Sequence, residues 1–192
     1  MGNELAPYKP NIAFDKKLTI IVPSQILSNQ ELSFNEKLIL ALDFTLSKKK
    51  GYNQFSNARV GLLLHLHQNI VSYCRKNLVS LGYLKKEKSK FILTDKFKEN
   101  TVCDFRDIIL PYQVYNFKMN TGAKLLWGEY NSMKKGKKAY FASREYSANR
   151  LNCSVESISN WTKQLFEMGF LKHYEVISGY EKKIKIVMTK EF

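Results

Sequence analysis

Residues 37–84, KLILALDFTLSKKKGYNQFSNARVGLLLHLHQNIVSYCRKNLVSLGYL, align without a gap onto residues 124–171, KLLWGEYNSMKKGKKAYFASREYSANRLNCSVESISNWTKQLFEMGFL, at a constant offset of 87. Lys37-Leu38 falls on Lys124-Leu125, Ser56 on Ser143, Gly61 on Ala148, Leu64 on Leu151, Ser72 on Ser159, Lys76 on Lys163 and Leu78 on Leu165. The two stretches close alike, with Leu81-Gly82-Tyr83-Leu84 on Met168-Gly169-Phe170-Leu171. Upstream, Ile21-Val22-Pro23-Ser24-Gln25 resembles Ile109-Leu110-Pro111-Tyr112-Gln113 at an offset of 88, so one extra residue lies between. Self-similarity at a fixed spacing predicts one supersecondary unit used twice.

Each unit reads as strand, Pro, helix, basic loop, helix, tight turn, helix, Gly, and then alternating residues that suggest a hairpin. The first helix opens at Leu32-Ser33-Phe34-Asn35-Glu36, where Ser33 and Glu36 can form a capping box; in the second unit Asn120 or Thr121 can cap, but the Glu is absent. Leu38, Leu42 and Leu46, with Ile39 and Phe44, give this helix a broad apolar face. The middle helix spans about 57–64 and 144–151, and its small residues, Gly61 and Ala148, suit the close helix crossing of a helix-turn-helix. His65 and Asn152 stand in the turn, where one residue commonly takes positive φ. The third helix runs from about 68 to 81 and from 155 to 168. Val71, Cys74, Leu78 and Leu81, with Ile158, Trp161, Leu165 and Met168, form its inward stripe, so Trp161 is read as packing. Arg75 and Thr162 occupy the next position round, which such helices often keep apolar.

That order is the order of a winged helix. The expected fold class is α+β, mainly α: two tandem winged helix-turn-helix domains, each of three helices plus a β-hairpin wing. The expected boundaries are a flexible arm over 1–17, a first domain over 18–97, a linker over 98–105 and a second domain over 106–192. The strands at 18–22 and 106–110 are expected to add a third strand beside each hairpin.

Lys and Arg total 31 against 17 for Asp and Glu, a formal net charge of +14. Divided after Asn100, the chain carries 16 basic and 8 acidic residues before the cut and 15 and 9 after it. Both halves are basic, which predicts a polyanionic partner and excludes a mere basic tail. No apolar run approaches the roughly 20 residues of a membrane span, and the N-terminus lacks the apolar core of a secretory signal, so a cytoplasmic protein is expected. Met1-Gly2-Asn3 fails as a myristoylation site because Ala6 stands where Ser or Thr is needed. Cys74, Cys103 and Cys153 lie too far apart for a disulfide framework or zinc knuckle, and the His65–His67 pair lacks Asp, Glu or Cys partners, so no metal and no cofactor is expected. There is no Gly-rich phosphate loop, and His173 has no nucleophile partner in sequence; an enzyme is not expected.

A strand ending in Pro, then L-S-x-x-E-K-L, F-S-N, a small residue in the second helix and a V-S turn ahead of L-G-Y-L resembles bacterial winged helix-turn-helix domains, nearest to those of plasmid and phage replication initiators and mobile-element regulators. The resemblance covers about 18–94 and 106–189. It implies sequence-specific binding of double-stranded DNA, in transcription control or replication initiation, with the protein itself or replication and transcription proteins as further partners. A winged-helix protein-interaction module is the alternative.

In a winged helix the third helix enters the major groove. The expected base readers are therefore Gln68, Asn69, Ser72, Tyr73 and Lys76 in the first unit, and Glu156, Ser157, Ser159, Asn160 and Lys163 in the second. Gln and Asn can bond adenine in bidentate fashion, Glu can accept from cytosine N4, and Lys can donate to guanine or phosphate. Lys48, Lys49 and Lys50 and their counterparts Lys134, Lys135, Lys137 and Lys138 fall in the same inter-helix loop, which predicts contacts to the DNA backbone. Wing residues Lys85, Lys86, Lys88 and Lys90, with Lys182, Lys183 and Lys185, belong to the same group. Ser154, as N-cap, can present its hydroxyl or backbone to phosphate.

Overall fold

A computed structural model describes residues 16–100, 105–133, 140–178 and 183–192. The first half runs β1 (Ile20–Val22), α1 (Ser24–Leu27), α2 (Phe34–Lys50), α3 (Asn57–Leu64), α4 (Gln68–Ser80), β2 (Leu84–Glu87) and β3 (Lys90–Leu93), then a 3-10 turn over Asp95–Glu99. The second runs β4 (Ile108–Leu110), α5 (Tyr112–Tyr115), α6 (Thr121–Ser132), β5 (Tyr140–Ser143), α7 (Arg144–Leu151), α8 (Val155–Glu167), β6 (Leu171–Ser178) and β7 (Lys183–Thr189). Helices with small antiparallel sheets make this an α+β, mainly helical, winged-helix-like fold. A short helix after each Pro, α1 and α5, adds to the three expected in each half.

Local chemistry explains the helix boundaries. At α2 both arms of the capping box form: the Ser33 hydroxyl accepts from the Glu36 amide, and the Glu36 carboxylate accepts from the Ser33 amide at 2.8 Å. Asn120 caps α6 by accepting from the Gly122 amide at 2.8 Å, and Ser56 and Ser143 cap α3 and α7. Helices α3 and α7 both end on left-handed residues, His65 (φ 55°) and Asn152 (φ 54°). Gly61 is dictated by the reversal that follows. A Cβ there would stand 2.5 Å from the Leu66 carbonyl oxygen and 3.4 Å from the Gln68 amide, so the close approach is to the turn and the start of α4.

The strands before each Pro do not join the wings. β1 pairs antiparallel with β4, with Ile21 opposite Ile109, Ile20 opposite Leu110 and Val22 opposite Ile108. Ile20 and Val22, with Ile108 and Leu110, are wholly buried, and that burial is what draws the two strands together rather than out to the hairpins. The third wing strand comes instead from the segment after the first long helix. Asn53 bridges Phe91 in the first half, and β5 pairs with β7 in the second, giving a sheet of order β5-β7-β6.

One continuous apolar cluster spans both halves, from Ile20, Leu38 and Val71 to Leu125, Trp127 and Leu165. Polar bonds cross between the halves as well. The Lys37 ammonium donates to the Leu151 carbonyl at 2.8 Å, the Lys124 ammonium to the Leu64 carbonyl at 2.7 Å, and the Asn116 amide to the Leu62 and Leu63 carbonyls. Within the stretch expected to link the halves, the Asn100 side chain donates to the Gln25 carbonyl at 2.6 Å.

Candidate nucleic-acid interface

Helices α4 and α8 bury one face each and leave the other to solvent. Val71, Cys74, Arg75 and Leu78 are buried on α4, and Ile158, Thr162 and Leu165 on α8. On the outward faces Gln68, Asn69, Lys76, Glu156, Asn160 and Lys163 are exposed, and Tyr73 is 71% exposed. A ring that open leaves most of its surface to solvent. Ser72, Ser157 and Ser159 are half-buried. Two of these are partly committed: Ser157 shares a hydrogen bond with Ser154 at 2.9 Å, and Ser159 donates to the Val155 carbonyl while accepting from Arg144 at 2.9 Å. Lys163 lies 3.8 Å from Glu167 in an exposed pair, which holds it weakly.

Both helices begin at a left-handed turn followed by a capping side chain. Ser154 caps α8 by accepting from the Ser157 amide at 3.1 Å, so its hydroxyl is engaged. At α4 the cap is His67, whose Nδ1 accepts from the Asn69 amide at 3.3 Å. Sequence reasoning gave His67 no such role, although its register with Ser154 was a usable signal.

Lys48, Lys49 and Lys50 sit in the last turn of α2, not in the loop expected for them. Lysine is a good helix former, its charge complements the carbonyl end of the helix, and Gly51 (φ 76°) closes the helix just after them. The loop that follows is tied to the wing: the Asn53 amide donates to Phe91 and the Phe91 amide back to Asn53 at 2.8 and 2.7 Å. Lys90 lies over the Tyr52 ring at 4.2 Å. The end of α2, the loop and the wing thereby form one basic edge. Lys85 pairs with Glu87 at 3.1 Å, while Lys86 lines a cavity of about 200 Å³ with Ser72, Lys76 and Asn57 between α4 and the wing. Lys88 turns the hairpin at positive φ (54°). Lys134, Lys135, Lys137, Lys138 and Lys182 lie outside the described residues, and Lys183 and Lys185 fall on β7.

Arg75 accounts for the polar position behind α4. Its guanidinium pairs with Asp43 at 3.0 Å, donates to the Phe55 carbonyl at 2.7 Å and to Asn57 at 3.0 Å, and lies 3.9 Å from the Phe91 ring centre. One buried side chain thus binds α4 to α2, the loop, α3 and the wing. The positions 87 further on are Tyr130 and Thr162, whose hydroxyls bond each other at 2.8 Å. Trp161 packs edge-to-face on Phe34 of the other half, centroids 5.0 Å apart. Arg144, in the first turn of α7 and bonded to Ser159, puts a cation beside α8 that sequence reasoning missed; its place at the start of the middle helix was the available clue.

Among the described residues no cluster of three or more His, Cys, Asp or Glu side chains could hold a metal ion, and no helix is long and apolar enough to cross a membrane. No protein-family model matches the chain, and no curated protein matches it. Among solved structures it is similar to the Pi initiator protein in complex with iteron DNA, with a TM-score of 0.53 and 9% identity over 92% of this chain and 99% of that one. At that identity the likeness is one of fold.

Proposed function

We propose that this chain is a non-enzymatic, sequence-specific double-stranded-DNA-binding protein that acts in replication initiation at repeated origin sites of a plasmid or phage. In this reading its two halves are tandem winged helices. Helices α4 and α8 enter successive major grooves, Gln68, Asn69, Tyr73, Glu156 and Asn160 read base edges, and the lysine edges hold phosphates. The observation that carries it is the match between the two exposed helix faces: each follows a left-handed turn, stands beside a wing and carries an outward lysine at the same register, Lys76 and Lys163. Fold likeness to an initiator solved with iteron DNA supports it, and so does the charge of +14. Because Gln68-Asn69 stands opposite Val155-Glu156, the half-sites differ and the target need not be palindromic. Selection of bound sequences from a random duplex library, followed by footprinting, tests this. Two unlike half-sites about one helical turn apart are expected; no binding to any duplex at low salt would instead favour a protein-interaction module.

A further inference from the structure

Lys37 and Lys124 are among the most deeply buried charges of the chain, 1% and 0% exposed, and among the described residues neither has an ion pair. Their hydrogen-bond partners are carbonyls, and the Lys37 ammonium also lies 5.3 Å from the Phe34 ring centre. Lys37 donates to Leu151, the last residue of α7, and Lys124 to Leu64, the last residue of α3, and also to Tyr115. The arrangement is reciprocal. Lys37 and Lys124 are equivalent at the offset of 87, and so are Leu64 and Leu151, so each half reaches into the other with the same residue for the same target. The β1–β4 ladder obeys the same symmetry, since the equivalent residues Ile21 and Ile109 lie opposite each other with their neighbours exchanged. That is the signature of a two-fold axis, here between two halves of one chain.

Burying an ammonium without a carboxylate is costly, and an apolar residue of similar length would normally serve stability as well or better. What a buried charge supplies is geometry: an ammonium has few places where its donors are satisfied, and the partially negative end of a helix is one. Leu64 and Leu151 are followed at once by the left-handed residues that launch α4 and α8. Holding their carbonyls fixes where each recognition helix begins. We infer that Lys37 and Lys124 are a reciprocal pair of positioning residues that set the spacing between the two recognition helices, and so the spacing of DNA half-sites that the chain accepts.

The inference rests on the DNA-binding reading for its functional half but not for its structural half, and two measurements separate them. Spin labels at Lys76→Cys and Lys163→Cys, with Cys74, Cys103 and Cys153 replaced by Ala, report the distance between the two helices in the free protein. Wild-type lysines should give one narrow distribution, and Lys37→Met/Lys124→Met a broadened or shifted one at undiminished thermal stability. On duplexes carrying both half-sites with spacers varied by up to five base pairs, the intact protein should prefer its best spacer over one three base pairs off by roughly tenfold, the double variant by less than about threefold. Unchanged distances and an unchanged spacer profile overturn the inference while leaving DNA binding intact. Absence of duplex binding by the intact protein overturns the functional reading, and the label distances then decide the positioning role alone.

Discussion

Removing Arg75 should be among the most damaging single changes in the first half. Arg75→Met keeps the aliphatic stem but strips Asp43 of its cation and leaves the Phe55 carbonyl and Asn57 without their donor. The pair is 2% and 1% exposed, so water cannot substitute. Burial already pushes the Asp43 carboxyl above its ordinary range against the pull of Arg75, and only Asn53, at 2.5 Å, would still bond it. Breaking one side of a buried pair costs about 3–5 kcal/mol, a large share of the roughly 5–15 kcal/mol that holds a domain together. Asp43→Asn/Arg75→Met, which removes the charge as well, should recover about 2 kcal/mol of that loss. Asp43→Tyr/Arg75→Thr, which copies the hydroxyl pair of Tyr130 and Thr162, offers a second rescue. Urea titrations followed by circular dichroism give the values from the shift in midpoint at constant slope. A loss below about 1 kcal/mol for Arg75→Met, or a double variant no more stable than the single one, would refute the account of Arg75 as the tie between α4, the loop and the wing.

Asn69→Ala/Tyr73→Ala, or Glu156→Ala/Asn160→Ala, should change base preference at the contacted positions by about 1–3 kcal/mol, read by binding to a panel of single-base variants; equal losses on every duplex would remove these residues from the reading surface. Replacing Lys48, Lys49 and Lys50 by Gln should instead weaken all duplexes alike and lower the slope of log affinity against log salt, by about 0.9 for each phosphate that the variant no longer neutralises. Gly122→Ala would drive a Cβ into the Trp161 ring, itself packed on Phe34, so about 1–3 kcal/mol of stability should be lost by overpacking, and a melting temperature equal to the parent's would contradict that packing. Burial pushes Lys37 and Lys124 from an ordinary 10.5 down to about 8, so above pH 8 the unfolded chain binds more protons and stability should rise with pH. Burial likewise pushes Cys74 and Cys153 from 9.0 up to about 11, which opposes the rise above pH 9. Burial also raises the Tyr83, Tyr130 and Tyr140 phenols from 10.0, which lowers stability above pH 10. Urea midpoints should therefore climb between pH 8 and 9, level off and then fall above pH 10, and Lys37→Met/Lys124→Met should abolish the climb.

The helix-turn-helix of each half was legible because its determinants are local. A capping Ser, a small residue at Gly61 or Ala148 and a left-handed His65 or Asn152 act within a few residues of one another, and α4 and α8 follow from apolar spacing. What escaped was long-range. The β1–β4 ladder joins residues 88 apart, and nothing in the alternation of Ile20, Ile21 and Val22 tells a strand which neighbour it will find. Lys37 and Lys124 stand out in the sequence only as matched positions of the repeat, and only the other half of the chain makes them interior. Arg75 stood out as a departure in the inward stripe, but its partner, Asp43, lies 32 residues back. The exposure of Gln68, Asn69 and Tyr73 was recoverable because a helix that buries one face must display the other.

The crossed lysines and the shared strand pair also impose a timetable on synthesis. Ile21 leaves the ribosome 88 residues before Ile109, and Lys37 precedes Leu151 by 114. At roughly 5–20 residues per second, those intervals last about 4 to 18 and 6 to 23 seconds. Until they elapse, the nascent first half carries an open strand edge, and Lys37 keeps its ammonium in water. Its own helices can form early, being local. A chain stalled or cleaved before Ile109 therefore leaves the edge of β1 open to pairing with other chains, and one that ends before Leu151 lacks the carbonyl that receives Lys37.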